Sequence, residues 1–238
     1  MNNIDYLKKY YKGDINEAIE RLNNGEPIQY IVGNVDFYGY NIEVNKDVLI
    51  PRFETEELVE NTINILKENF PQEINLLEIG TGSGCISIAL KKELPNVSVT
   101  ATDISKKALE MAKNNAEINE AHINFVNTNI YDGINDKFDC IISNPPYISK
   151  DEQIMDIVYN NEPHEALFAD NNGLFFYEEI LKNAKGILKD KYLICFEIGM
   201  TQAEEISNYA KKYLNNPKIV VKKDLQQRDR MIFIYNFE

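Results

Sequence analysis

An apolar run that ends in two prolines is the stretch of this chain whose residue types could best support chemistry. Residues 138–148 read FDCIISNPPYI, so we expect a buried strand to end at Asn144. Pro145 and Pro146 stiffen the backbone, and neither has an N–H group to donate. The turn therefore presents acceptors. The Asn144 side-chain oxygen and the Pro145 carbonyl can converge on a planar NH2 group, with the Tyr147 ring beside it.

A glycine-rich loop lies upstream of this turn. It follows an apolar run and consists of Glu78, Ile79, Gly80, Thr81, Gly82, Ser83 and Gly84. Glycines allow the backbone to turn sharply and approach a ligand, and a helix that opens near Cys85 offers free N–H groups. The spacing is GxGxG, and Cys85 stands where the dinucleotide fingerprint GxGxxG requires its last glycine. The loop therefore suits a nucleotide-like ligand. The incomplete fingerprint argues against NAD and favours another ligand of this kind.

An acidic residue, Asp103, follows the next apolar run. At the carboxyl edge of a parallel sheet, such a side chain can bind both hydroxyls of a ribose. Each signal is weak alone, because a glycine loop is often only a tight turn and NPPY can be only a proline-rich turn. The glycine loop, Asp103 and NPPY all follow strands, so they converge on one crevice and together predict a cofactor site.

From residue 74 onward a strand, a loop and a helix alternate, which is typical of an α/β fold with a parallel sheet covered on both faces. We expect strands near 74–79, 97–102, 123–127, 138–143, 191–198, 217–222 and 230–236. We expect helices near 84–94, 105–119, 172–187 and 201–214. The link 223–229 is too short for a parallel crossover, so the last two strands must form an antiparallel hairpin.

The first part of the chain has a different pattern. Residues 3–23 have helical spacing broken at Gly13-Asp14, which predicts two short helices. Residues 28–44 are rich in β-branched and aromatic residues with turn signals, which predicts a β-hairpin. Thr55 is expected to cap a helix over 56–69. We therefore divide the chain into an N-terminal region, 1–48, and a main domain, 49–238.

Composition excludes several classes of protein. The net charge of −13 and pI near 4.7 argue against a groove that binds many phosphates, so no direct nucleic-acid partner is expected. No apolar run approaches the ~18 residues of a membrane span, and the first residues lack the apolar core of a signal peptide. We expect no membrane association.

The cysteines and histidines bear on the compartment and on metals. Cys85, Cys140 and Cys195 are odd in number and lie in apolar runs, which predicts buried free thiols and a reducing compartment, the cytoplasm. The chain has two histidines and no Cys or His pair at ligand spacing, so we expect no metal.

These motifs resemble those of class I S-adenosylmethionine (SAM) methyltransferases that modify planar NH2 groups, which include adenine DNA methylases and protein-glutamine methyltransferases. Five further segments resemble the HemK-type release-factor glutamine N5-methyltransferases. They are GEPIQYIVGNVDFYG (25–39), LIPRFETEELVE (49–60), EPHEALFADNNGL (162–174), FEIGMTQAEEI (196–206) and KDLQQRDR (223–230). The resemblance covers nearly the whole chain from Gly25 onward.

The resemblance implies a seven-stranded, mostly parallel class I methyltransferase sheet with helices on both faces and a C-terminal antiparallel hairpin, plus a small N-terminal helical and hairpin extension. It implies methyl transfer from SAM, with S-adenosylhomocysteine as product, to the glutamine of the Gly-Gly-Gln tripeptide in peptide chain release factors. The release factor is then the partner, and we expect the enzyme to be a monomer. The family normally carries a longer helical region before Gly25, so 1–48 is expected to be a shortened docking region.

The resemblance also assigns residues. The cofactor-binding set is Glu78, Gly80, Thr81, Gly82, Ser83, Gly84, Asp103, Asn129, Ile130 and Asn144. The catalytic set is Asn144, Pro145 and Tyr147, and the substrate-binding set is Asn144, Pro145, Pro146, Tyr147, Arg52, Phe53 and Glu197. Glu197 is expected either to line the pocket or to anchor another residue behind it.

This sequence departs from the family's pattern in two places near the expected site. Asn129-Ile130 stands where the family often has Asp followed by Trp against the adenine, and Phe53 replaces a usual proline. Three alternatives stay open: a nucleic-acid exocyclic-amine (adenine N6-type) methyltransferase, a nicotinamide-dependent oxidoreductase, and a SAM-binding interaction module without activity.

Overall fold

Helices and strands alternate along the chain, and a computed structural model describes them over residues 2–238. The helices are α1 (Asn3–Tyr10), α2 (Ile15–Asn23), α3 (Ile28–Val32), α4 (Phe53–Asn69), α5 (Cys85–Glu93), α6 (Lys106–Ile118), α7 (Asp156–Asn161), α8 (Asp170–Gly173), α9 (Phe175–Asn183) and α10 (Ala203–Tyr213). The strands are β1 (Asn34–Phe37), β2 (Tyr40–Glu43), β3 (Ile74–Ile79), β4 (Val97–Asp103), β5 (Asn124–Asn127), β6 (Phe138–Ser143), β7 (Ile148–Ser149), β8 (Phe168–Ala169), β9 (Leu188–Glu197), β10 (Lys218–Lys223) and β11 (Asp229–Tyr235).

The central sheet has seven strands in the order β10-β11-β9-β6-β3-β4-β5. Strands β5, β4, β3, β6 and β9 are parallel, and β11 pairs antiparallel with both β9 and β10. The predicted fold class and the C-terminal hairpin are therefore confirmed. The strand order reverses beside β3, and ligands of such sheets bind in the crevice at this position.

Helices cover both faces of the sheet because its inner strands are apolar on both sides. Along β6, Cys140 and Ile142 pack in one core with α4 and α5, and Ile141 packs in a second core with α9 and α10. Every residue of β6 is buried. All three cysteines are buried as well, as their apolar surroundings predict. The continuous apolar runs of the sequence thus come from strands that are covered on both faces.

The N-terminal region confirms the two predicted short helices but corrects the long hairpin. Residues 28–32 form α3 instead of a strand, and only β1 and β2 pair as a hairpin. Ile31 packs in a small core with Leu7 and Ala18, and Gly33 ends the helix at φ 87°. This packing overrides the β preference of the branched residues, since strand propensity depends strongly on context.

Two further expectations about the main domain were wrong in detail. Helix α4 begins at Phe53, not at residue 56, and Thr55 lies inside its first turn. The single helix expected over 172–187 is divided into α8, α9 and a 3₁₀ turn over 184–186. Asn171 and Asn172 adopt left-handed φ values of 55° and 53°, which breaks the helix before α9.

Asn115 of α6 joins the hairpin β1–β2 to the glycine loop. Its Nδ2 donates to the carbonyls of Glu43 and Ser83, both at 2.9 Å, and its Oδ1 accepts the Glu43 N–H at 2.8 Å. The side chain is fully buried, so no water can replace these partners.

We predict that Asn115→Ala lowers the free energy of unfolding by roughly 2–4 kcal/mol, because three buried backbone groups lose their partner. Urea denaturation measures this change. The matched control is Asn114→Ala on the same helix, whose exposed side chain bonds only to the Glu43 carboxylate. The control should change stability by less than about 0.5 kcal/mol. Equal losses in the two variants would contradict the assigned role of Asn115.

Candidate active site

A cavity of about 340 Å³ opens at the carboxyl edge of the sheet, within the usual ~300–1,000 Å³ of small-molecule sites. Most of the predicted site residues line it together: Arg52, Glu78, Gly80, Thr81, Gly82, Ser83, Asp103, Asn129, Ile130, Asn144, Pro145 and Pro146. Four predicted residues lie outside its wall, namely Phe53, Gly84, Tyr147 and Glu197. The convergence of the three motifs on one crevice is therefore confirmed.

The glycine loop forms one wall of the cavity. The N–H groups of Gly80 and Thr81 both donate to the Thr102 carbonyl at 2.9 Å, which fixes the loop to β4. A Cβ atom at Gly80 or Gly82 would meet no protein atom within 4 Å, so the backbone there faces open space. Gly84 has another role, because a Cβ at this position would lie 3.1 Å from the Ala112 Cβ of α6. The loop leaves room for a ligand at its first two glycines.

Asp103 is held by the backbone at the end of β4. Its Oδ2 accepts the Gly82 N–H and its Oδ1 accepts the Ser105 N–H, both at 2.9 Å. Burial raises the pKa of this carboxyl above its ordinary value, and the N–H donors oppose that shift. Each oxygen keeps a free lone pair. A fixed carboxylate of this kind can accept hydrogen bonds from two neighbouring hydroxyls of a ligand.

Glu78 is almost fully buried beneath the loop. Its Oε2 accepts hydrogen bonds from the hydroxyls of Thr81 and Ser87, whereas its Oε1 has no protein partner. Burial raises the pKa of Glu78 to about 7, although the two hydroxyl donors act in the opposite direction. A buried acceptor without a partner is rare. In a cavity wall it fits a ligand that brings a positively charged donor.

Apolar groups flank the far side of the cavity. Ile104, which follows Asp103, is 65% exposed although it belongs to the cavity wall, and Phe176 also lines it. Ile130 adopts φ 53°, which is strained for a β-branched residue, and its carbonyl accepts the Thr102 hydroxyl at 2.7 Å. Neither Ile104 nor Phe176 is among the site residues predicted from the sequence. An apolar residue directly after Asp103 was the available signal for the first.

The NPPY turn forms the opposite wall, where Asn144, Pro145 and Pro146 contact the cavity. The Asn144 Nδ2 donates to the Thr55 hydroxyl at 3.1 Å. Thr55 in turn donates to the buried Glu197 carboxylate at 2.6 Å. The nitrogen end of the Asn144 amide is thus bound to protein. Its oxygen remains as the end that can accept from a ligand.

Tyr147 and Glu197 lie behind this wall. The Tyr147 hydroxyl donates to Glu197 Oε1 at 3.3 Å and accepts from Arg230 at 3.4 Å. Burial raises the pKa of the Tyr147 phenol well above its ordinary value. Gly173 approaches the turn so closely that a Cβ atom there would overlap the Tyr147 carbonyl oxygen. Glu197 accepts hydrogen bonds from both Thr55 and Tyr147, so its main role is to anchor these two side chains.

Arg52 connects the start of α4 to Glu162, which directly precedes the cavity-lining Pro163. Its guanidinium contacts the buried carboxylate of Glu162 at 2.5 Å, and Glu162 also accepts the Ile50 N–H at 3.1 Å. Phe53, by contrast, is 60% exposed. Over residues 2–238, no group of three or more His, Cys, Asp or Glu residues could hold a metal ion, and no helix is long and apolar enough to cross a membrane.

A mostly parallel sheet with a glycine loop after β3, an acid at the end of β4 and NPPY after β6 defines a class I SAM-dependent methyltransferase. The profile of the Methyltransferase small domain matches residues 55–190. The release factor glutamine methyltransferase of Streptococcus pneumoniae is 41% identical over 223 residues, which cover 92% of this chain and 78% of that protein. The chain belongs to the family of release factor glutamine methyltransferases.

Other relatives agree with this assignment. The release factor glutamine methyltransferase of Flavobacterium psychrophilum is 44% identical over 221 residues, or 89% of this chain and 76% of that protein. A solved structure, the release factor-specific protein-(glutamine-N5) methyltransferase of Alicyclobacillus acidocaldarius, superimposes with a TM-score of 0.51 at 29% identity. The superposition covers 82% of this chain and 98% of the chain from Alicyclobacillus acidocaldarius. A methyltransferase from Pyrococcus furiosus, with a TM-score of 0.61 at 20% identity, shares the fold.

Three observations show that the residues lining the cavity fit SAM. Gly80 and Gly82 leave open space beside the backbone, Asp103 keeps acceptor capacity for two hydroxyls, and Glu78 has an unpaired buried oxygen. SAM has a ribose with two hydroxyls and a cationic amino group on its methionine end, which match these groups in charge and in hydrogen bonding.

Because Glu78 is buried, we predict that the free energy of unfolding of the ligand-free protein depends on pH. Its pKa is about 7 in the folded state and 4.5 ordinarily, so the folded state binds the extra proton between these values. The stabilisation from this proton is complete below pH 4.5 and is lost as the pH rises through about 7. Its size is roughly 3 kcal/mol.

Urea denaturation of the wild type and of Glu78→Gln from pH 4.5 to 8 isolates this contribution. Glutamine retains an acceptor for Thr81 and Ser87 but cannot ionise. The stability of the variant relative to the wild type should therefore increase with pH. A constant difference across this range would show that Glu78 does not titrate as its burial implies.

Proposed function

We propose that this chain transfers the methyl group of SAM to the side-chain amide nitrogen of the glutamine in the Gly-Gly-Gln motif of a peptide chain release factor. The observation that carries the proposal is the Asn144 amide, whose nitrogen is bound to Thr55 while its oxygen remains free beside the cavity. A primary amide brings two N–H donors, and Asn144 with the Pro145 carbonyl offers two acceptors. Family membership supports the same substrate.

One part of the cavity holds the cofactor in this proposal. Asp103 would bind the ribose hydroxyls, Glu78 would accept from the cationic amino group, and residues 80–83 would enclose the methionine end. Ile104 and Ile130 present apolar surface for the adenine, and the exposed Asn129 supplies polar groups beside it. Ile104 thereby compensates for the missing aromatic residue at position 130. SAM supplies an electrophilic methyl group on a sulfonium.

The NPPY wall holds the substrate amide. An amide nitrogen is a poor nucleophile because its lone pair is delocalised into the carbonyl. Hydrogen bonds from both amide protons to the Asn144 oxygen and the Pro145 carbonyl orient the nitrogen and stabilise the positive charge that it develops. No strong base is needed before the transfer, because the nitrogen loses one of its protons only after the new N–C bond has given it a positive charge. Pro146 stiffens the turn, so these acceptors are arranged before the substrate arrives.

The other predicted substrate residues act around this centre. We propose that Tyr147 fixes the turn through its hydroxyl instead of stacking on the amide, since its ring lies outside the cavity wall. Arg52 lines the cavity and Phe53 is exposed next to it, so both are placed to contact the polypeptide around the glutamine. The N-terminal region 1–48 is proposed to assist in docking the release factor.

A nucleic-acid amine is less well supported as substrate. The net charge is −13, and a protein that binds a nucleic acid through its phosphates needs clustered cations. We propose that the enzyme works as a cytoplasmic monomer. Its three buried cysteines suit a reducing compartment.

We predict that Asp103→Ala weakens SAM binding by about 10- to 100-fold, because hydrogen bonds between a charged group and the ribose hydroxyls are lost. Isothermal titration calorimetry measures the affinity. Asp103→Asn is the companion variant, since it keeps the side-chain shape and one acceptor for the loop, and it should lose less. Unchanged affinity in Asp103→Ala would remove this residue from the cofactor site.

We predict that the wild type labels a purified release factor from methyl-labelled SAM, and that peptide mapping places the label on the glutamine of Gly-Gly-Gln. In the same assay, Asn144→Ala should lower kcat by roughly 10²–10³, as deletion of one preorganised group does. SAM affinity should stay nearly unchanged, so binding and chemistry separate.

Two outcomes would contradict the proposal. Label on another residue, or on added RNA or DNA but not on the release factor, would exclude the proposed substrate. If Asn144→Ala retained more than about a tenth of wild-type turnover, the acceptor role of the turn would be wrong.

A further inference from the structure

The orientation of the Asn144 side chain decides whether this turn can bind an amide nitrogen. A carboxamide has a donor end and an acceptor end of nearly the same shape, and rotation by half a turn exchanges them. With its NH2 group toward the cavity, Asn144 would face the donors of a substrate amide with donors of its own. The enzyme therefore needs a device that keeps the oxygen toward the substrate.

A chain of three buried or half-buried polar groups lies behind Asn144. Its Nδ2 is 3.1 Å from the Thr55 hydroxyl, which is 2.6 Å from Glu197 Oε2. Thr55 and Glu197 are each only 2% exposed. Water has little access to this chain, so each group must find its partners within the protein.

The charge of Glu197 sets the direction of every hydrogen bond in this chain. An ionised carboxylate only accepts, so the single hydroxyl proton of Thr55 must be donated to it. Thr55 then has only lone pairs left for Asn144. The nitrogen of Asn144 satisfies those lone pairs, whereas its oxygen would not. A flipped amide would place two acceptors against each other or leave Glu197 without its donor.

We propose that Thr55 and Glu197 are positioning residues that lock the Asn144 amide with its oxygen toward the substrate. The inference rests on the proposed function, because it explains how an asparagine becomes a dedicated acceptor for an amide NH2 group. Glu197 lies outside the cavity wall, and Thr55, which lines the cavity, acts through its hydrogen bond to Asn144. Glu197 supplies a fixed negative charge, and Thr55 transmits the resulting polarity to Asn144.

The surroundings of Glu197 keep this carboxylate able to act as an acceptor. The Tyr147 hydroxyl donates to its other oxygen at 3.3 Å. Burial raises the pKa of Glu197, and the charge of Glu54 adds to this shift. The hydrogen bonds from Thr55 and Tyr147 and the positive charge of Arg230 act in the opposite direction and favour the ionised form. Tyr177, another titratable neighbour, donates to the backbone carbonyl of Glu197 at 2.7 Å and not to the carboxylate. Glu197 thus has donors on both oxygens.

Thr55→Val removes the hydroxyl while keeping the shape of the side chain. We expect kcat for methylation of the release factor to fall by about 10- to 100-fold, the range for loss of a hydrogen bond to a charged group. The dissociation constant for SAM, measured by calorimetry, should stay within about twofold. Thr55→Ser restores the hydroxyl and should return kcat to within about threefold of the wild type.

Thr62→Val is the matched control. Thr62 lies on the same helix, is fully buried, and donates only to the Leu58 carbonyl at 2.8 Å. The substitution should leave kcat within about twofold of the wild type, since it removes a hydroxyl remote from Asn144. Equal losses in Thr55→Val and Thr62→Val, or more than a third of wild-type turnover in Thr55→Val, would overturn the proposal.

Neutron diffraction of the deuterated wild type gives a readout that is independent of activity and of variant folding. The proposal requires deuterium on the Asn144 atom that faces Thr55, and the Thr55 deuterium directed at Glu197. The opposite assignment of either hydrogen bond would refute it. If both assignments hold but the wild type does not label the release factor, the proposed substrate fails and the orientation of Asn144 stands.

Discussion

The pairing of two strand ends, Ile79 of β3 and Ser143 of β6, fixes the relation between the two halves of this active site. These residues are partners in the parallel register, and the buried Ser143 hydroxyl donates to the Ile79 carbonyl at 2.7 Å. The glycine loop begins at the next residue on one strand and the NPPY turn begins at the next residue on the other. Because both strands are covered on both faces, neither can slide without exposing apolar side chains. The glycine loop and the NPPY turn are therefore held at a constant separation.

The same edge of the sheet concentrates buried carboxylates, and they are compensated to different degrees. Glu197 receives hydrogen bonds from Thr55 and Tyr147 and lies near Arg230, so part of its cost of burial is offset inside the protein, although burial still raises its pKa. Glu78 accepts from the hydroxyls of Thr81 and Ser87, has no nearby cation among the causes of its pKa shift, and keeps one oxygen without a partner among residues 2–238. Burying such a group lowers stability, and uncompensated groups of this kind are concentrated at functional sites. The difference separates a carboxylate that organises the protein from one that is available to a cationic ligand.

The sequence allowed the sheet and the edge of the site to be predicted because both depend on local signals. Apolar runs gave the seven strands, and the turn chemistry of Gly80, Asp103 and Asn144 placed the site at their carboxyl ends. The network behind the turn could not be predicted, because it joins Thr55 to Asn144 and Glu197 across distant parts of the chain.

Local signals also gave wrong answers, among them those for Thr55 and for residues 28–32. Thr55 looked like a helix cap because its residue type favours caps, yet its hydroxyl bonds to a strand on the other side of the site. Residues 28–32 looked like a strand, yet a tertiary core formed with α1 and α2 makes them helical. In both cases a long-range contact decided between structures that the local sequence permits equally well.

The two acceptors of the turn differ in how much support they require. The Pro145 carbonyl belongs to a backbone that two prolines restrict, so its direction follows from covalent geometry and from Gly173 packing against the turn. The Asn144 oxygen belongs to a side chain that can exchange its two ends at little steric cost. Only this second acceptor needs an electrostatic device to orient it. The buried chain from Asn144 through Thr55 to Glu197 lies at the acceptor that covalent geometry leaves free to rotate. The structure thus places its buried charge where rigidity of the backbone alone would not give a defined hydrogen-bonding pattern.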